Sequence, residues 1–151
     1  MGSTRTARTI RATAAQLYAA FTEPDVLVQW LPPSEMTGQI HAFDARVGGG
    51  YEMSLFYPHA DAGRRGKTAD REDRVHVRFV ELSPRRIVEA IRFETDDPGL
   101  KGEMTLTVTF EDAPGGTEVV MLFEDLPPGL RPEDNDEGAR LSLDQLARRF
   151  D

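Results

Sequence analysis

The sequence predicts an α+β fold, a single antiparallel sheet covered on one face by helices. Three observations predict it. Apolar residues alternate with polar ones through a series of segments between Thr37 and Glu124, which is the period of half-buried strands. The connections between these segments are short or rich in glycine and proline, as in hairpins. The chain then closes on Asp134–Phe150, where Ala139, Leu143, Leu146 and Phe150 recur at helical spacing. A helix with one apolar stripe, arriving after a sheet with one apolar face, has that sheet to bury against.

The elements follow in order. Thr4 to Ile10 is a short β-prone strand with three threonines and an isoleucine. Thr13-Ala14-Ala15-Gln16 is a capping box that opens a helix carrying Ala14, Leu17, Ala20 and Phe21. Pro24 ends that helix and suits the first turn of a second, which carries Val26, Leu27, Trp30 and Leu31 and stops at Pro32-Pro33. Thr37–Asp44 and Tyr51–Tyr57 are strands joined through Gly48-Gly49-Gly50. Pro58 to Asp73 is a polar loop. Arg74–Leu82 and Arg86–Glu94 form a hairpin about Ser83-Pro84-Arg85, and Met104–Phe110 and Thr117–Glu124 form another about Pro114-Gly115-Gly116. Leu126-Pro127-Pro128-Gly129-Leu130 is a rigid connector to the last helix, for which Asp134 is the expected N-cap and Glu137 its capping-box partner. The sum is about seven antiparallel strands, two short helices after the first strand, and a long C-terminal helix.

The chain of 151 residues is read as one domain, 1–151, long enough to bury about 70% of its unfolded surface. Its 18 basic and 26 acidic residues give a net charge of −8, which disfavours nucleic acid and anionic membrane surfaces as partners. No apolar run approaches the ~20 residues that cross a bilayer, and Met1–Arg11 lacks a signal-peptide core, so a cytoplasmic location is expected. With no cysteine there are no disulfides, thiolate metal sites or cysteine nucleophiles.

Several stretches assembled in order resemble the START-like (SRPBCC) superfamily, within it the branch named activator of Hsp90 ATPase homologue-like. They are Asp44-Ala45-Arg46-Val47-Gly48-Gly49, Gly66-Lys67-Thr68, Arg78-Phe79-Val80-Glu81-Leu82-Ser83-Pro84, Gly102-Glu103-Met104-Thr105, Gly116-Thr117-Glu118-Val119, Leu126-Pro127-Pro128-Gly129-Leu130 and Glu133-Asp134-Asn135-Asp136-Glu137-Gly138. The resemblance implies a helix-grip (START/Bet v 1-like) fold, in which a curved sheet wraps the C-terminal helix, often around an apolar cavity. It implies little about chemistry, because one fold hosts many activities. Many relatives carry a tryptophan near the start of the last helix. Gly138-Ala139-Arg140 has none, which implies a wider cavity mouth here.

Candidate chemistry is sparse. Gly63-Arg64-Arg65-Gly66-Lys67-Thr68 imitates a phosphate loop, but Asp61 stands where the first glycine is required and no helix follows. His41, His59 and His76 have no metal-ligand spacing, and solvent-facing strand positions explain the first and last. No metal and no cofactor are expected. Asp44 and Arg46, two apart on one strand face, are read as an ion pair that fixes the strand end. On strand 86–94 alternation puts Glu89 on the face of Ile87, Ile91 and Phe93. A carboxyl in an apolar pocket has a raised pKa and is competent as an acid or base. No catalytic set is assigned, and Glu89 is the single catalytic candidate.

The aromatic and methionine residues Trp30, Tyr51, Met53, Tyr57, Phe79, Met104, Met121 and Phe123 are the expected lining of a ligand cavity between sheet and last helix. Leu55, Glu89, Ile91, Phe93, Leu106 and Val108 extend that lining on the sheet, and Leu143, Leu146, Ala147 and Phe150 extend it on the helix. Leu141 does not fit this seam, lying on roughly the opposite side of the helix at ~100° per residue. The expected function is a non-enzymatic domain holding a small hydrophobic or amphipathic molecule, lipid included, with Ala147→Trp as a way to fill its wall. One alternative is a co-chaperone or stress-response interaction module, implied by the family name alone, with an exposed patch near Leu126–Leu130 and no ligand-sized cavity. The other is a cyclase- or hydrolase-type enzyme using Glu89.

Overall fold

The computed structural model describes residues 2–58 and 72–151. The Gly63–Thr68 stretch and His59 lie outside the described residues. In chain order the elements are β1 (Gly2–Ile10), α1 (Ala14–Thr22), α2 (Pro24–Trp30), β2 (Thr37–Asp44), β3 (Gly50–Phe56), β4 (Glu72–Ser83), β5 (Arg86–Phe93), a 3-10 turn (Pro98–Leu100), β6 (Met104–Ala113), β7 (Gly116–Leu126) and α3 (Pro132–Arg148). The strands form one antiparallel sheet in the order β1-β7-β6-β5-β4-β3-β2. From β2 to β7 each strand pairs with its successor, through tight turns at β4–β5 and β6–β7 and longer connections at β3–β4 and β5–β6. β1 instead pairs with β7, so the first two strands occupy opposite edges and α1 and α2 carry the chain across the face between them.

Local signals explain these boundaries. Thr13 Oγ1 accepts from the Gln16 amide at 3.1 Å while Gln16 Oε1 accepts from the Thr13 amide at 2.9 Å, completing the capping box of α1. Pro24 occupies the first turn of α2, where its missing N–H is not needed. Gly48 sits at φ +86°, and a Cβ at Gly50 would stand 1.8 Å from the Val77 carbonyl oxygen, so the β2–β3 connection requires glycine at both. Beside it, Arg46 Nε donates to Asp44 Oδ2 at 2.6 Å, an exposed ion pair at the strand end. Register shifts between Gly2 and Thr4, between Ile40 and Ala42, and between Phe79 and Glu81 add local twist and help the sheet curve.

The core lies between the concave sheet face and the helices. Met104, Leu106, Val108 and Phe110 alternate inward on β6, opposite Met121 and Phe123 of β7. α3 buries Ala139, Leu143 and Leu146 against them, as the stripe predicts, together with Ala147. Its start departs from expectation. The helix begins at Pro132 with Arg131 as N-cap and no side-chain cap, so Asp134 lies in the first turn and is not the cap. Pro132 has the φ that a first helical position needs, and Glu133 and Asp134 then complement the positive end of the helix dipole. Polar contacts orient this helix: Thr6 donates to Asp136 at 2.6 Å, Asn135 donates to Thr4 at 2.9 Å, and Arg8 pairs with Asp144. Among the described residues no helix is long and apolar enough to cross a membrane.

Candidate functional site

A cavity of about 410 Å³ opens between the sheet and the first half of α3. That volume falls in the range of small-molecule sites. Its floor is the inward parity of the central strands: Tyr51 and Leu55 of β3, Val75 and Val77 of β4, Ile91 and Phe93 of β5. Met104, Leu106, Met121 and Phe123 continue it across β6 and β7, and Tyr57 stands beyond the end of β3. The roof is α3 through Asn135, Gly138, Ala139, Leu141 and Ser142. One side wall is α2 and the connector after it, through Leu27, Leu31, Pro33, Ser34, Glu35 and Met36. Exposed Glu35, Asp134 and Glu137 mark the mouth.

The structure divides the expected lining in two. Tyr51, Leu55, Tyr57, Glu89, Ile91, Phe93, Met104, Leu106, Met121 and Phe123 come together around the cavity. Trp30, Met53, Phe79, Val108, Leu143, Leu146 and Ala147 lie in the filled core, and Phe150 is half-buried against it. The reason is the placement of α2. Ser142 donates to the Leu31 carbonyl at 2.6 Å, and Gln145 donates to the carbonyls of Trp30 and Pro32 at 2.7 and 2.8 Å. These bonds clamp the second half of α3 onto α2 and the sheet, where Trp30 and Phe21 pack edge to face with centroids 4.8 Å apart. The first half, held to β1 through Asn135 and Asp136, roofs the cavity. Leu141, off the stripe that packs on the sheet, lines the cavity beside this contact.

Some lining was within reach of strand parity, since Val75 and Val77 share the alternation of Phe79. Other parts carry no local signal. The Pro33–Met36 connector, Leu130 and the polar first turns of α3 become walls through tertiary placement alone. In the Leu126–Leu130 connector only Pro128 and Gly129 are exposed, and Leu126, Pro127 and Leu130 are buried, so it presents no apolar leucine patch.

Glu89 is the notable polar group of the floor. It is 2% exposed, and its cross-strand neighbours are Phe79 and Leu106, neither of which can solvate a carboxylate. Among the described residues no side chain hydrogen-bonds it, and no arginine pairs with it. Burial pushes its carboxyl up to about 8, so it is predominantly protonated at neutral pH. Tyr51 is also buried, and burial together with the nearby Glu89 raises its phenol well above the usual range. Phe43 stacks on the Tyr51 ring at 5.2 Å and Phe79 lies 5.9 Å away, which holds that ring in place. A second polar pair stands at another part of the lining, where Tyr57 donates to Asp73 Oδ2 at 2.8 Å.

The histidines of the strands lie away from this cavity. His41 contacts Ser54 at 2.8 Å, and His76 lies 2.9 Å from Glu52 and 3.2 Å from Glu94. Among the described residues no group of histidines and carboxylates is arranged to hold a metal ion.

Comparison with known proteins places this geometry. The family model described as Activator of Hsp90 ATPase homolog 1-like protein matches residues 11–151. A solved structure from Chromobacterium violaceum is 29% identical, with a TM-score of 0.84 over 99% of this chain and 98% of that one. A Rhodobacter sphaeroides protein is similar at 20% identity and TM-score 0.78, covering 97% of this chain and 90% of its own. A Silicibacter pomeroyi protein reaches 0.77 at 16% identity, covering 98% and 96%. These last two likenesses concern the fold alone. None of the curated proteins matches the chain.

Proposed function

The chain belongs to the activator of Hsp90 ATPase homolog 1-like family, and we propose that it is a non-enzymatic helix-grip domain that binds a small hydrophobic or amphipathic molecule beneath the first half of α3. The observation that carries this reading is the cavity itself. It holds about 410 Å³, is walled mainly by apolar side chains, and has a polar mouth, the usual anatomy of a small-molecule site. A plain core would have closed over such a space, because empty volume destabilises by lost packing. Glu89 supports binding over catalysis. It is competent to carry a proton, but no second acid–base group or nucleophile among the described residues is hydrogen-bonded to it, as a concerted step would need. The family name supplies the interaction-module reading, for which the Leu126–Leu130 connector offers little apolar surface, since Leu126, Pro127 and Leu130 are buried.

Gly138 provides the test. It lines the cavity from within α3, and a Cβ added there meets nothing within 4 Å. Gly138→Trp therefore places an indole in the ligand's space, where Ala147→Trp would overpack a residue that is 2% exposed in the core. Titration with 1-decanol as the probe should show saturable binding to the parent and at least about tenfold weaker binding to Gly138→Trp. Stability should hold or rise, since glycine inside a helix costs about 0.5–1 kcal/mol against alanine. Equal affinity in parent and variant would count decisively against a ligand site in this cavity.

A further inference from the structure

The cavity has a charge character that its apolar walls conceal. Five carboxyl-bearing side chains line it: Glu89 on the floor, Asp73 on β4, and Glu35, Asp134 and Glu137 around the mouth. Among the described residues no lysine, arginine or histidine lines it. The acidic rim alone says little, because exposed carboxylates are solvated and screened. Glu89 is different. It is only 2% exposed, it sits on the wall of the cavity, and no described side chain hydrogen-bonds it. Beside it on the floor, the Tyr51 hydroxyl likewise has no hydrogen-bond partner among the described residues.

We propose that the cavity selects a cationic amphiphile, an apolar tail carrying one protonated amine, whose ammonium donates to the Glu89 carboxylate and the Tyr51 hydroxyl. The inference rests on the binding function proposed above and names its ligand class. Three ligand classes would meet the same walls with different outcomes. A fatty acid would bring a second carboxylate beside Glu89, where no described residue offers a cation to receive it, which low dielectric makes costly. An alcohol or ketone would find the Glu89 carboxyl as a neutral donor. An amine alone turns that carboxyl into a paired, charge-assisted hydrogen bond in a dry pocket, the stronger interaction. The proton balance is simple. The alkylammonium keeps its proton, as a lysine-like amine does at neutral pH, and Glu89 releases its own to solvent on binding. With its carboxyl pushed up to about 8, ionisation at pH 7 weakens binding by only about tenfold. The titratable groups that line the cavity with Glu89 from the other elements are Tyr51, Tyr57, Asp73, Glu35, Asp134 and Glu137, so among the described residues none supplies a positive charge there.

The experiment is calorimetry on the full chain at pH 7 with decylammonium, 1-decanol and decanoate, each below its micelle concentration and in two buffers of different ionisation enthalpy. Decylammonium should bind at least about tenfold more tightly than 1-decanol, and decanoate more weakly than either. Close to one proton should be released per bound decylammonium and none per bound 1-decanol. In Glu89→Gln the preference for the amine over 1-decanol and the proton release should both vanish. If 1-decanol or decanoate matches decylammonium, or if no proton is released, the amine preference is overturned and the binding function stands. If none of the three binds, the binding function itself falls.

Discussion

Trp30→Ala is expected to destabilise the protein by about 3–5 kcal/mol, measured by chemical denaturation followed with far-UV circular dichroism. Trp30 is fully buried, and its ring packs edge to face on Phe21. Its indole N–H donates to the Ala20 carbonyl at 3.0 Å. That carbonyl is an orphan, because its partner in a continuing helix would be residue 24, a proline without an N–H. The Trp30 backbone carbonyl in turn accepts from Gln145 of α3. One residue thus caps α1, packs α2 and anchors α3. Trp30→Phe should separate the roles, retaining ring burial but leaving the Ala20 carbonyl unpaired, at about 1–3 kcal/mol. A loss below about 1 kcal/mol in Trp30→Ala would contradict this assignment.

Glu89 should make stability fall with rising pH. Its folded carboxyl is raised from 4.5 to about 8 by burial. Below 4.5 both folded and unfolded chains hold the proton, and the native state carries no penalty. Between 4.5 and 8 the unfolded chain releases it while the native chain keeps it, so unfolding becomes more favourable as pH rises. Above 8 both are ionised and the slope ends. By pH 7 the difference amounts to about 3 kcal/mol, or roughly 10 °C in melting temperature for a domain of this size. Other groups titrate over the same window, so the comparison is with Glu89→Gln, whose amide is uncharged throughout. The variant's stability relative to the parent should rise by this amount from pH 4.5 to 7. Parallel stability curves for the two proteins would show that Glu89 has an ordinary environment.

Strand parity and helix capping made the sheet legible from sequence, because both are local. The β6–β7 seam follows from alternation, and Thr13, Gln16 and Pro24 set the first helices as their side chains dictate. The same alternation placed Glu89 inside. It could not decide between a charged partner and none, since that depends on which residues β4 and β6 bring opposite, here Phe79 and Leu106. The site was only half legible for a related reason. An amphipathic stripe says that α3 is buried but not which half rests on side chains and which half spans a void. That division is made by α2, whose C-terminal carbonyls accept from Ser142 and Gln145. Gly138 was the quiet signal: an unbranched position inside a helix, facing space that no neighbour fills.

The most direct test of a ligand site beneath the first half of α3 is a methyl-labelled NMR titration of the full chain with 1-decanol. Shifts should concentrate on Leu55, Ile91, Met104, Leu106, Met121 and Leu141, which line the cavity, and pass over Met53, Val108 and Leu146 in the filled core. The same titration of Gly138→Trp should leave all of them in place. Shifts centred on the core set, or undiminished shifts in the variant, would contradict a binding site in this cavity.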